Sequence, residues 1–131
     1  MIYLVIVPIV VQFYIFVLES LQWGQPRVNK TFGVMPEQVE PLRPWAFNQG
    51  FYNLFLSVAM AAGWVIYTGV GPEIIDGGTI GLVLMVYGLL SMGAAGVVLV
   101  VSNRRRLRGA LVQLVPSLLG LGALGGITFV R

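Results

Sequence analysis

The chain contains no cysteine and no histidine among its 131 residues. The first absence excludes disulfide bonds, thiol catalysis and thiolate metal sites. The second removes the usual metal and haem ligand and the usual proton shuttle at neutral pH. The single lysine, Lys30, lies in a polar loop, which argues against a Schiff-base cofactor in an apolar interior. We therefore expect no cofactor and no metal.

Charge is scarce as well. Charged residues make up 10% of the chain, against about 25% in typical globular domains. Hydrophobic residues make up 57%, and the mean hydropathy is +0.87. This composition excludes an ordinary soluble domain. The sequence pI of about 9.7 comes from a few loop arginines, which orient a membrane protein and require no nucleic acid partner.

Apolar runs of about 18 or more residues with few charges predict transmembrane helices. Four runs are present, over about residues 2–21, 46–70, 79–102 and 110–130. At 1.5 Å per residue, each run of roughly 20 residues matches a hydrocarbon core of about 30 Å. The first run has neither the basic start nor the small-residue cleavage site of a signal peptide. The predicted fold is all-α: a four-transmembrane-helix bundle forming a single membrane domain over residues 1–131.

The distribution of basic residues predicts the orientation. Loop 24–45 carries three basic residues and loop 103–109 carries four. The connection 71–78 between spans two and three has Glu73 and Asp76 but no basic residue, and the C-terminus adds Arg131. The positive-inside rule then places both basic loops in the cytoplasm and both termini outside it. We expect a multi-pass protein of the bacterial inner (plasma) membrane.

Small residues are concentrated in the last two spans. Gly88, Ser91 and Gly96 mark the third span, and Gly122 and Gly126 form a small-xxx-small pair in the fourth. Such residues let membrane helices approach closely. We expect a tight bundle in contact with membrane lipids. The same Gly-rich helices 3 and 4 offer a face for a homo-oligomer or for a larger membrane complex.

Polar side chains recur at one depth near the cytoplasmic ends of three spans. Glu19 precedes Trp23 by four residues, which places it roughly 6 Å inside the interface. The layer comprises one acid and four amides: Glu19, Asn48, Gln49, Asn53 and Gln113. An unpaired polar group facing lipid costs several kcal/mol. We therefore expect these side chains to point inward, toward one another or toward water.

Glu19 is the one ionisable side chain that lies within a span rather than at its end. Intramembrane carboxylates mark functional sites by default. Two interpretations stay open: an ion pair with Arg43, or a ligand or proton site. The amides likewise serve either as interhelical hydrogen bonds or as ligand contacts. The candidate ligand-binding residues are Glu19, Arg43, Asn48, Gln49, Tyr52, Asn53 and Gln113.

Four short motifs occur along the chain. They are Leu-Glu-x-x-x-Trp at 18–23, Phe-Gly-x-x-Pro-Glu at 32–37, Asn-Gln-Gly-x-Tyr-Asn at 48–53 and Gln-x-x-Pro at 113–116. This pattern resembles the small bacterial and fungal integral membrane proteins catalogued as domain of unknown function 1304. The resemblance covers nearly the whole chain, although the third loop departs from it in reading Asn-Arg-Arg-Arg. It implies a compact four-helix membrane protein and no particular activity.

Three functions remain open. The first is the binding of a small lipophilic or amphipathic molecule in a cytoplasm-facing polar pocket, with Glu19 as the only candidate proton donor or acceptor if catalysis occurs. The second is an accessory subunit of a larger membrane complex. The third is a small proton-coupled transporter, which is disfavoured because Glu19 lies near a helix end rather than at the midplane. Segment 25–44 carries apolar residues, among them Phe32, Val34 and Met35, that favour an ordered lid over the polar layer.

Overall fold

The structure is a computed structural model that describes residues 1–70 and 75–129. Glu73, Val130 and Arg131 lie outside the described residues, as do the side chains of Asp76 and Arg105. The described chain is helical: α1 is Ile6–Phe16, α2 Pro26–Phe32, α3 Val39–Val70, α4 Ile75–Ser102 and α5 Leu107–Phe129. Short 3-10 turns cover Ile2–Val5, Pro36–Gln38 and Arg104–Arg106, and a π-helical segment covers Val17–Leu21.

Within residues 1–70 and 75–129, four helices are long and apolar enough to cross a membrane. They are Ile2–Leu21, Pro36–Gly69, Gly77–Ser102 and Leu107–Ile127. The first of these, which joins α1 to its flanking turns, is called the N-terminal helix below. The prediction of an all-helical chain with four such helices is confirmed.

The four long helices pack in a closed ring. α3 contacts both the N-terminal helix and α4, α4 contacts α5, and α5 returns to the N-terminal helix. The core between them contains Val5, Met60, Met85, Leu89 and Leu124, all nearly inaccessible. Large apolar side chains also cover the outside of the bundle, as on Val98 (66% exposed) and Leu118 (64% exposed). Such an outer surface is typical of helices that contact lipid.

Glycines set the closest approaches between helices. A Cβ on Gly81 would lie 2.6 Å from the carbonyl oxygen of Gly63, so α3 and α4 touch backbone to backbone there. Gly88 packs against α3 and Gly96 against α5, whereas a Cβ on Gly122 would meet open space. Most of the small residues that the sequence marks for close packing therefore serve the bundle itself.

Helix α3 begins at Val39, earlier than the predicted start of the second span at residue 46. Pro41 and Pro44 both lie within it and do not end it. Pro41 falls in the first turn of α3, where a missing N–H is tolerated, and Pro44 removes one intrahelical hydrogen bond. Helix α2 is short, and it is capped at its C-terminal end by Gly33, which has a φ of +65°.

Candidate functional site

The N-terminal helix ends in a π-helical segment, Val17–Leu21, that contains Glu19. Its wider turn is closed by the N–H of Gln22, which donates to the carbonyl oxygen of Val17 at 3.0 Å. π-helical turns are rare in proteins, and those that occur are often found at functional sites. The wider turn changes the register of the helix, so that Glu19 and Ser20 both lie against α3.

Gly50 of α3 makes room for this segment. A Cβ at Gly50 would overlap the Ser20 hydroxyl and lie 3.1 Å from both Glu19 Cβ and the Ser20 amide nitrogen. The Ser20 hydroxyl donates to the carbonyl oxygen of Phe47 at 2.8 Å. The glycine of the Asn-Gln-Gly-x-Tyr-Asn motif is therefore required for the close approach of the two helices.

Asn53 fixes the carboxylate of Glu19. Its Nδ2 donates to Glu19 Oε2 at 2.8 Å and to the carbonyl oxygen of Gln49 at 3.2 Å. Asn53 is 7% exposed, so this bond is shielded from the surroundings. Among the described residues, no hydrogen bond reaches the second carboxylate oxygen, Glu19 Oε1. One oxygen therefore anchors the acid, and the other has no partner in the part of the chain that the structure describes.

Glu19 lies in the wall of a cavity of about 220 Å³ that opens to the surface. The cavity also has three aromatic side chains and two further polar ones in its wall. These residues are Trp23, Phe32 and Trp45, and Gln49 and Arg106. The arrangement combines a carboxylate, a guanidinium and flat apolar surfaces, which suits a ligand that has both charge and apolar parts.

Segment 25–44 closes part of this cavity. The indole N–H of Trp23 donates to the carbonyl oxygen of Val39 at 2.9 Å, and the Trp23 and Phe32 ring centroids lie 5.9 Å apart. Phe32 and Val34 lie in the cavity wall, whereas Met35 is 56% exposed. Trp23 thus fastens the segment to the start of α3.

Arg43 does not pair with Glu19. Its guanidinium binds the Glu40 carboxylate at 2.6 Å and donates to the carbonyl oxygen of Trp23 at 3.3 Å. The ion-pair interpretation of Glu19 is therefore not realised, and Arg43 is absent from the residues that line the cavity. Arg43 supports the site indirectly by holding the end of the N-terminal helix.

The other predicted site residues differ in whether they line the cavity. Gln49 lies in the cavity wall and is exposed. Asn48 is exposed and Tyr52 is 56% exposed, and neither side chain lines the cavity. Asn48 and Tyr52 are one turn apart and share the outer face of α3. Gln113 is partly buried and does not line the cavity.

Sequence reasoning missed several contributors to this region. Ser20 and Gly50 act through the π segment, which no sequence pattern reveals. Arg106 lines the cavity, but it stands in an arginine run whose members look alike in sequence. Gln12 of α1 is 1% exposed, and its Oε1 has no hydrogen-bond partner among the described residues.

Comparison with known families identifies the family of the chain. The family described as Protein of unknown function (DUF1304) matches residues 6–125. The chain belongs to this family. The resemblance drawn from the four motifs is thereby confirmed, and the description assigns no activity. No curated protein and no solved structure matches the chain. Three of the motifs meet at the site: Glu19 and Trp23 come from the first, Phe32 from the second, and Gly50 and Asn53 from the third.

Proposed function

We propose that the protein is a membrane protein that binds a small lipophilic or amphipathic molecule in the cavity beside Glu19. One observation carries this proposal. Glu19 is anchored through one oxygen by Asn53 and lies in the wall of a cavity that aromatic side chains share. A carboxylate with one unpartnered oxygen beside a cavity is suited to receive a ligand's donor group.

The energetics favour a ligand over a purely structural role. On insertion scales, a charged side chain within a membrane helix costs about 2.5–3.5 kcal/mol at the centre. An interhelical hydrogen bond is worth about 0.6–2 kcal/mol. Glu19 lies near the end of its helix, so the cost of its charge is below the value at the centre, but the bond from Asn53 does not require that charge. A glutamine at this position would make the same bond without the charge, so the acid is better explained by a ligand.

We further propose that the cavity opens on the cytoplasmic side. Val34 and Leu42 from loop 24–45 and Arg106 from loop 103–109 line the same cavity. The two loops thus lie at one end of the bundle, which agrees with the seven basic residues that they contain. By the positive-inside rule this end faces the cytoplasm. Both termini would then be extracytoplasmic, and the protein would reside in a plasma membrane.

Retention of bound amphiphile tests this function. The wild-type protein, purified in a mild non-ionic detergent, is expected to carry about one amphiphile per chain in native mass spectrometry. Glu19→Gln keeps the shape and the acceptor for Asn53 but removes the charge, and we expect at least about tenfold weaker retention, equivalent to about 1.4 kcal/mol.

Glu37→Gln is the matched control, because Glu37 is exposed and lies outside the cavity wall. This variant is expected to retain the amphiphile like the wild type. Equal retention by Glu19→Gln and Glu37→Gln would overturn the proposed function, as would wild-type protein that carries nothing.

A further inference from the structure

The wall of the cavity contains three aromatic side chains and a carboxylate. Trp23 and Phe32 lie together in its wall with their rings inclined at 44°, and Trp45 is 76% exposed. Ammonium groups are attracted to the faces of aromatic rings, most strongly to tryptophan, and to carboxylates. Together with Glu19, this wall has the chemistry that recognises a cationic amine.

The wall also carries a positive charge. Arg106 is exposed and lines the cavity, and no carboxylate pairs with its guanidinium among the described residues. Guanidinium groups bind phosphate through a planar fork of N–H donors. A ligand that carried an amine alone would be repelled by Arg106, and a ligand that carried a phosphate alone would be repelled by Glu19. A zwitterion with both groups satisfies both side chains.

The volume of the cavity limits what it can hold. At about 220 Å³, it is smaller than typical ligand pockets of about 300–1,000 Å³. It can enclose a polar headgroup but not a whole amphiphile. The aliphatic part of its wall is formed by Val34, Leu42 and Ala46, and the cavity is open to the outside of the bundle. An apolar chain attached to the headgroup can leave through that opening.

We infer that the cavity binds the zwitterionic headgroup of an aminoalkyl phosphate amphiphile. The ammonium lies against Glu19 and the aromatic faces of Trp23 and Trp45, and the phosphate lies against Arg106. This assignment rests on the proposed function and names the class of molecule that the same site takes.

Three short-chain probes with one common alkyl chain test the inference on detergent-purified protein by calorimetric titration. One carries phosphoethanolamine, one carries phosphate alone and one carries ammonium alone. We expect the wild type to bind the zwitterion at least about tenfold more tightly than either singly charged probe, since each removes one charge-assisted contact. Glu19→Gln should abolish the preference over the phosphate probe, and Arg106→Gln the preference over the ammonium probe.

Arg108→Gln is the matched control, because Arg108 is exposed in the same basic loop and does not line the cavity. It should keep the preference of the wild type. Free phosphoethanolamine, without a chain, distinguishes a lipid from a soluble source of the same headgroup. Weaker binding of the free headgroup supports a lipid, and equal binding supports a soluble zwitterion.

Two failures are distinguishable. If all three probes bind equally well and depend on Glu19, the zwitterion inference is overturned while the proposed function stands. If none of the probes binds and the purified protein carries no amphiphile, both are overturned.

Discussion

Asn53 donates a 2.8 Å hydrogen bond to the carboxylate of Glu19 across 34 positions of sequence. The bond joins the π segment of the N-terminal helix to α3. It fixes where the acid lies without supplying an opposite charge, because an amide is neutral. The site therefore holds a carboxylate whose position is set by the protein and whose charge is not paired by a basic side chain among the described residues. This relationship is the basis of the predictions that follow.

Loss of the Asn53 side chain should destabilise the bundle. Asn53→Ala leaves Glu19 Oε2 without its donor in a shielded place, and hydrogen bonds to charged groups are worth about 1.5–3 kcal/mol. Asn48→Ala removes the same side chain from an exposed position and should change stability by less than about 0.5 kcal/mol. Thermal unfolding in lipid nanodiscs measures both. Equal destabilisation by the two variants would contradict the structural role of the Asn53–Glu19 bond.

A side chain at position 50 should separate the π segment from α3. Gly50→Ala forces a methyl group against the Ser20 hydroxyl and the Ser20 backbone, and overpacking of this kind costs about 1–3 kcal/mol. Gly122→Ala is the control, since a Cβ there meets open space. Because Ser20 Oγ is the nearest obstacle, Ser20→Ala combined with Gly50→Ala should recover part of the loss. If the two substitutions instead lower the stability additively, the contact between Gly50 and Ser20 is not as close as in the structure.

The hydrogen bond from the indole N–H of Trp23 should protect segment 25–44 from proteolysis. Trp23→Phe retains a ring against Phe32 but loses the hydrogen bond to the Val39 carbonyl. We expect cleavage by trypsin after Arg27 or Lys30 to become several-fold faster in inverted vesicles, because α2 is held less firmly. Trp45→Phe, at an exposed tryptophan, should leave the cleavage rate unchanged. Rapid cleavage of the wild type would show that the segment is not an ordered lid.

The absence of cysteine makes the proposed orientation easy to test. Single cysteines can replace Lys30 and Arg108, and a third can be inserted after Met1. An impermeant maleimide applied to intact cells should label the third and spare the first two, and in inverted vesicles the pattern should reverse. Labelling of Lys30→Cys in intact cells would place the basic loops outside and reject the orientation.

Much of the fold could be predicted because long apolar runs leave the backbone few choices. An apolar run that crosses a membrane must satisfy its own N–H and C=O groups, so length and hydropathy alone indicate a helix. Helix α3 begins before the predicted second span, and Pro41 and Pro44 do not end it, because they lie near its start and remove few bonds.

The site was less predictable for three physical reasons. Depth follows from counting residues, which brought Glu19, Gln49 and Asn53 to one layer. The rotation of α3 about its axis is set by packing, and it turns Asn48 outward. The π segment depends on a tertiary contact with Gly50, and local propensity gives no sign of it. Nor does sequence distinguish Arg106 from its neighbours, because only the folded loop places it at the cavity.

The most direct test of the central claim is an experimental structure of the protein in lipid, inspected in the cavity between Glu19 and Trp45. We predict density for a bound molecule within contact of Glu19 and Arg106, with an apolar part that leaves past Leu42 toward the outside of the bundle. A cavity filled by inward movement of Trp23, Phe32 and Trp45, with Glu19 bonded to protein groups through both oxygens, would contradict a binding site. The acid and its amides would then serve to hold the helices together.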